Sequence, residues 1–439
     1  MKAIKKLLSS KASGSIIDRV VKNSTVILAG NSTASVLNLI SFTLMANQIG
    51  PEFLAVIVLC QTYALIYNDL FNIQTWESMI KYGNTQNKSF TVKDIIFTNM
   101  FLDVASAIIA FSLAYTLALS TAQLFDWNNS YVEYIAIYSV TILFNITTFT
   151  IGIPRFFNKF SVISKVFVAM ALLKLIAILI ARSAEQAFVS YIYIYLTIEA
   201  LTNITLILYS MKLLGTNYGG YWWIRKLKIN KDQIRFLWWT NLRTIIRIPV
   251  RHFDMIIISA VMPMATLGIY KVYKEFAGLI NRIGEPVNQA LYPEFTKLIG
   301  KSNSGESVNI TKKAMKLLSL VGIAMGVVFI VASNSIIERF FGVEYTQSIA
   351  ALYLMIVFYV LSFITVPINS LFIAAGFAKY SVYLLLFTNS IYLLSAFGFG
   401  RLYGIYGVII AFAIQLFFNK GLKVFLMSKH STDWDTVVR

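Results

Sequence analysis

Apolar residues gather along this chain in long continuous runs, near 25–48, 53–73, 94–118, 131–152, 161–181, 188–211, 236–261, 267–290, 317–333, 346–368, 379–399 and 406–419. The intervals between them are mostly short and carry Gly, Pro, Asn or Lys, the residues that end helices and make turns. A hydrocarbon core of roughly 30 Å takes about 20 apolar residues of helix to cross, so the pattern predicts an all-α polytopic membrane protein with about twelve transmembrane helices. The alternating ten-residue segments of a membrane barrel do not occur. Composition agrees: 57% of the 439 residues are hydrophobic and 13% are charged, with a mean hydropathy of +0.69. A water-soluble domain of this size would have to expose large apolar patches.

Charge sets the orientation. Of 38 basic residues, 28 lie in segments 1–24, 74–93, 153–165, 212–235, 297–316, 376–380 and 420–439. The alternate loops hold Arg182, Arg339 and Arg401 alone. Lys and Arg accumulate on the cytoplasmic side, so the first set of loops is cytoplasmic, the number of spans is even and both termini are inside. The formal net charge of +18 therefore reflects topology, not binding of nucleic acid. The N-terminal stretch carries Lys2, Lys5, Lys6, Lys11, Arg19 and Lys22 without an apolar h-region. It reads as an amphipathic segment on the membrane surface instead of a cleaved signal. Cys60 is the single cysteine, and His252 lies far from His430, which predicts no disulfide, no metal site and no cofactor.

The longest loop, 212–235, pairs Trp222 and Trp223 with Arg225, Lys226 and Lys228, a combination suited to an anionic headgroup layer. It divides the chain into an N-terminal segment 1–24, a first six-helix bundle 25–211, a linker 212–235, a second bundle 236–419 and a cytoplasmic tail 420–439. Pro51 before the second run is echoed by Pro263 before the eighth. Repeated bundles are a common plan of secondary transporters.

Seven bases remain inside the runs: Lys174, Arg243, Arg247, Arg251, Lys271, Lys274 and Arg282. Each would cost roughly 2.5–3.5 kcal/mol against lipid, so they should face protein or a wet cavity. Arg243, Arg247 and Arg251 are four apart and advance about 40° per step on a helix, which makes one stripe. Lys271, Lys274, Glu275, Gly278, Arg282 and Glu285 share an arc of about 100° on the next run. The two helices are antiparallel, so the bases form a cationic ladder through the bilayer. Mutual neutralisation is the alternative, pairing Arg251 with Asp254, Lys271 with Glu275 and Arg282 with Glu285. Arg243, Arg247 and Lys274 then have no obvious counterpart nearby in sequence, although other helices could supply one. An anion-attracting cavity accounts for the excess, and arginine is suited to phosphate because its fork donates to two oxygens at once.

The first half is milder. Asn31, Ser35 and Asn38 share a face of the first run; Gln61, Asn68 and Asn72 share one of the second. These amides suit sugar hydroxyls, and equally suit helix–helix packing. The acids Asp69, Asp103 and Glu199 are candidates for proton or sodium coupling, with Lys174 as a partner for one of them.

Two blocks carry a resemblance. One runs from Gly50-Pro51-Glu52-Phe53 through Gln61-Thr62-Tyr63-Ala64 and Asp69-Leu70-Phe71-Asn72 to Trp76-Glu77-Ser78-Met79-Ile80-Lys81-Tyr82-Gly83. The other runs from Asp254-Met255-Ile256-Ile257 through Leu267-Gly268-Ile269-Tyr270-Lys271-Val272-Tyr273-Lys274 to Ala290-Leu291-Tyr292-Pro293-Glu294-Phe295. They resemble the bacterial flippases for O-antigen and capsule units within the multidrug/oligosaccharidyl-lipid/polysaccharide exporter superfamily. Met262-Pro263 departs from the Gly-Pro turn of the first block.

The resemblance implies a V-shaped pair of six-helix bundles with a central cavity, in the bacterial inner membrane, working by alternating access and not as an enzyme. It implies an undecaprenyl-pyrophosphate-linked oligosaccharide as substrate, with a polysaccharide polymerase and a chain-length regulator as candidate partners besides the membrane lipids. Arg243, Arg247, Arg251, Lys271, Lys274 and Arg282 would then hold the anionic headgroup. Asn31, Asn38, Gln61, Asn68 and Asn72 would line the sugar path. A drug antiporter of the same superfamily should line its cavity with acids and aromatics. A membrane-embedded polymerase should show a large charged outer loop, and the outer loops here are short.

Overall fold

A computed structural model describes residues 11–83, 90–220, 223, 227–228, 231–299 and 304–429, omitting the side chains of 11–29, 283–290, 292–294, 297–299 and 304–305. The paired tryptophans' Trp222, most of the basic linker loop, His430, the first ten residues and the side chain of Glu285 lie outside this description. All the regular elements among the described residues are helical.

The chain opens with α1 (Lys11–Phe71), two arms joined at Gly50, where φ is 74° and ψ 172°. Pro51 cannot continue a helix from the preceding turn because it has no N–H and its ring meets a carbonyl. Gly50 accepts the positive φ that a side chain would resist. At the corresponding corner of the second half Met262 does the same work with φ −135° and ψ 161°. That is extended backbone, into which a following proline pushes any residue. A glycine is not needed there, so the missing Gly-Pro pair is explained.

After a three-residue break the second arm resumes as α2 (Thr75–Gly83), followed by α3 (Val92–Leu124) and α4 (Ser130–Tyr138). The stretch after α4 tightens over Ser139–Phe144, breaks, widens into a π turn at Thr148–Gly152 and ends in α5 (Ile153–Phe156). These pieces are one span bent by 49°. Next come α6 (Phe160–Ser183), α7 (Phe188–Tyr218), α8 (Lys231–Ile245) and α9 (Asp254–Val261). The chain finishes with α10 (Met264–Ile299), α11 (Ser304–Phe340), α12 (Ile349–Ile364), α13 (Val366–Ala374), α14 (Ala378–Tyr403) and α15 (Ile405–Lys429).

Among the described residues eight helices are long and apolar enough to cross a bilayer, and the bent span makes a ninth. One of the eight contains both arms of α1. The break at Pro249 leaves α8 and α9 too short to count singly, at 15 and 8 residues, and α10 is set apart by Lys271, Lys274 and Glu275. About twelve crossings result. The apolar windows of α6 and α11 are only 17% buried by protein, and Leu320 and Val331 stand 72% and 76% exposed. Such faces need lipid as their solvent.

The chain forms two compact units. The first comprises the described parts of Met1–Gln48, Tyr63–Ser120 and Val132–Leu242; the second comprises Ile49–Thr62, Thr121–Tyr131 and Arg243–Arg439. The first is centred on Met79, Ile96, Phe149, Ile153 and Leu214. The second has a core of Phe295, Leu371, Phe372, Phe377 and Met427. In the second unit α10 passes so close to the Gly50 corner that a Cβ at Gly268 would run into the Pro51 carbonyl. At Gly278 on the same helix a Cβ would meet only Tyr359, at 3.9 Å. Backbone cannot yield as a flexible side chain can, and overpacking costs roughly 1–3 kcal/mol. Gly268→Ala should therefore lower the thermal midpoint of the detergent-solubilised protein, while Gly278→Ala leaves it unchanged or raises it.

Candidate functional site

Pro249 reshapes the predicted cationic ladder. A regular helix from 243 to 251 would set three arginines on one stripe, but α8 stops at Ile245 and a π turn occupies Pro249–Phe253. Proline removes one amide donor and its ring displaces the carbonyl four residues back. In the turn between α8 and Pro249 the carbonyl of Ile246 accepts from Asn389 Nδ2 on α14, at 2.6 Å. Arg243, Arg247 and Arg251 are consequently not one regular stripe. All three are exposed on the second unit.

The corner at Met262–Pro263 folds α10 back along α9, and this sets the ion pairs. Lys271 pairs with Glu275 at 2.9 Å, as the spacing predicts. Lys274 does have an acidic partner: its ammonium reaches Asp254 across the corner and also donates to the Arg251 carbonyl at 3.3 Å. Arg282 reaches Glu275 at 3.0 Å, a partner two turns away that the helical spacing did not suggest.

Asp254, which the sequence pairs with Arg251, is a hub that also engages Lys274. It is 2% exposed, and besides Lys274 it accepts a bond from Tyr270 Oη at 2.9 Å. The group lines a pocket of about 40 Å³ together with Tyr359, Tyr392, Met355 and Phe412. That volume admits a few waters at roughly 10–15 Å³ each. No sequence signal marks those tyrosines, because they arrive from three separate helices.

The polar groups of the first unit serve largely at helix breaks. Asn72 Oδ1 accepts the Gln74 N–H at 3.1 Å where the second arm ends. Asn68 Oδ1 accepts from Asn145 Nδ2 at 2.9 Å at the bend of the fourth span. Asp103, 3% exposed, accepts from Thr75 Oγ1, the first residue of α2, and from the Thr148 N–H at 2.6 Å. One carboxylate thus fastens two broken helices.

Glu199 accepts from Tyr138 Oη at 2.8 Å. Lys174 stands 4.8 Å from the Tyr195 ring centroid, within electrostatic reach of Glu199. Asp69 and Asn38 are half-buried and Asn31 is exposed. Gln61 is half-buried in the second unit. The start of α8 is held in the first unit by Gln233, whose Nε2 donates to Ser78 Oγ at 3.0 Å and Asn99 Oδ1 at 2.8 Å.

Residues 84–350 match a family described as "Polysaccharide biosynthesis protein". A curated relative, the inner membrane protein YghQ of Escherichia coli (strain K12), is 18% identical over 353 residues, which are 75% of this chain and 94% of that protein. Among solved structures, an inward-facing multidrug resistance MATE family transporter of the MOP superfamily aligns with a TM-score of 0.69 at 15% identity, covering 93% of this chain and 99% of its own. The lipid II flippase MurJ, in an inward closed conformation, aligns with a TM-score of 0.67 at 14% identity, covering 94% and 90%. The fold is that of these transporters.

Removing one partner of a buried ion pair strands the other charge, at a cost of roughly 3–5 kcal/mol. Asp254→Ala should destabilise the protein by about that amount. Adding Lys274→Met should recover more than half of the loss, read as thermal midpoints in detergent.

Proposed function

We propose, on the premise that this chain belongs to the polysaccharide biosynthesis protein family, that it carries an undecaprenyl-pyrophosphate-linked oligosaccharide unit across a bacterial inner membrane. The unit passes from the cytoplasmic to the periplasmic leaflet by alternating access, for surface polysaccharide such as O-antigen or capsule. Both termini are cytoplasmic. A polymerase and its chain-length regulator receive the product.

One observation carries this reading. In the seventh and eighth spans six bases, Arg243, Arg247, Arg251, Lys271, Lys274 and Arg282, stand against three acids, Asp254, Glu275 and Glu285. Asp254 is engaged by Lys274, and Glu275 by Lys271 and Arg282. A membrane-embedded surplus of cation favours an anionic cargo, and pyrophosphate supplies charge and oxygens for bidentate arginine contacts. A carrier of cationic drugs would need the opposite balance. The amides Asn31, Asn38, Gln61, Asn68 and Asn72 are the candidate sugar contacts; two of them, Asn68 and Asn72, already bind at helix breaks. Asp69, Asp103 and Glu199 remain the candidates for ion coupling.

Arg247 is the diagnostic position, because it is exposed, whereas changing Lys274 disturbs the buried Asp254. Arg247→Ala should cut export of the lipid-linked unit at least tenfold with unchanged membrane insertion. Arg247→Lys, which keeps charge without the fork, should fall between. Surface polysaccharide at wild-type level in Arg247→Ala would refute the reading.

A further inference from the structure

The tenth span is interrupted where α12 ends at Ile364 and Pro367 enters the first turn of α13. Two lysines of α15 converge on this break. Lys420 Nζ donates to the Thr365 carbonyl at 3.3 Å. Lys423 Nζ donates to Asn369 Oδ1 at 2.8 Å and lies 5.6 Å from the Phe372 ring centroid. Three residues apart, they share one face of the helix. Each is within electrostatic reach of another cation, Lys420 of Lys423 and Lys423 of Arg247. All of these residues belong to the second unit.

Lys423 is 7% exposed, yet neither lysine makes an ion pair with a carboxylate among the described residues. An ammonium has three donors, and each lysine spends one on a protein oxygen. The carbonyls ending α12 offer at most about half an elementary charge. Like charges crowded in a low dielectric without an anion oppose one another and their own burial. The arrangement makes electrostatic sense once an anion joins it.

We propose that Lys420 and Lys423 form an anion site for a phosphate-bearing lipid headgroup, with the pyrophosphate of the transported lipid as its intended occupant. The identity of that occupant rests on the function proposed above. At about 1.5 Å per residue, Lys423 lies roughly 9 Å and Lys420 roughly 14 Å from the Lys429 end of α15. On the expected topology that end is cytoplasmic, so the site takes the headgroup on entry. The backbone positions of the two lysines are separated by roughly 4.5 Å along the axis.

The test is a titration of the purified full chain with sodium pyrophosphate, read as thermal midpoint against sodium chloride of equal ionic strength. A saturable rise is expected for wild type and for Lys429→Met. The double variant Lys420→Met/Lys423→Met should show at least tenfold weaker apparent affinity, and Lys420→Arg/Lys423→Arg should keep it. Ligand-free, the Met variant should melt at or above wild type, since it loses uncompensated charge. A lower midpoint with the pyrophosphate response intact would mean that the lysines only brace the break, and would overturn the site. So would the absence of any saturable response in wild type.

Repeating the titration in nanodiscs distinguishes two sources of phosphate. An affinity that survives replacement of phosphatidylcholine by phosphatidylglycerol assigns the site to the transported headgroup. An affinity lost there gives the same site to bulk phospholipid and overturns the intended occupant. Export assays separate this inference from the transport reading. Export with lysine-independent binding keeps the transport reading and overturns the site. Lysine-dependent binding without export keeps the anion site and overturns the transport reading.

Discussion

Hydrocarbon offers no partner to a peptide N–H or carbonyl, so a helix that stops inside a bilayer must have its freed groups answered by the protein itself. In this chain the interruptions are many, and side chains answer them. Asn72 takes an amide at the end of the second span's first segment, and Asp103 takes one at the bend of the fourth. Asn389 takes the Ile246 carbonyl in the turn after α8, and Lys420 takes one at the break of the tenth span. Polar and charged residues that hydropathy disfavours are thereby placed at fixed depths.

The same constraint organises the chemistry. A break loosens the regular spacing of side chains, which is why Arg243, Arg247 and Arg251 leave the stripe that a straight helix would give. It also exposes backbone dipoles that hold a cation or an acid without a full counter-charge. Asp254 and Glu275 are held in local pairs with Lys274, Lys271 and Arg282, so the fold as well as composition sets the charge balance there. The anionic cargo proposed above rests on that balance of charge and not on any single residue.

Much of the fold was legible because one-dimensional hydropathy is the main determinant of a helical membrane protein. The twelve runs became about twelve crossings, and the charge excess of the seventh and eighth spans could be seen by inspection. The Lys271–Glu275 pair followed from helical spacing alone. What escaped was tertiary. Lys274 finds Asp254 only because the corner at Met262–Pro263 lays α10 against α9. Pro249 was in plain sight, yet regular geometry was extended through it. Lys420 and Lys423 lie beyond the apolar run that fades at 419, on α15, which continues to Lys429. Asp103, with no acid or base near it in sequence to suggest a structural role, proved to hold two breaks together.

The central claim is that the cations of the second unit recognise the charged headgroup of a lipid-linked sugar. Its most direct test is reconstitution of the full chain into liposomes, followed by translocation of one oligosaccharide carried on polyprenyl pyrophosphate and the same oligosaccharide on an uncharged polyprenyl linker. The account predicts that the pyrophosphate-linked sugar crosses and the uncharged one stays. Equal movement of both, or of neither, would contradict it.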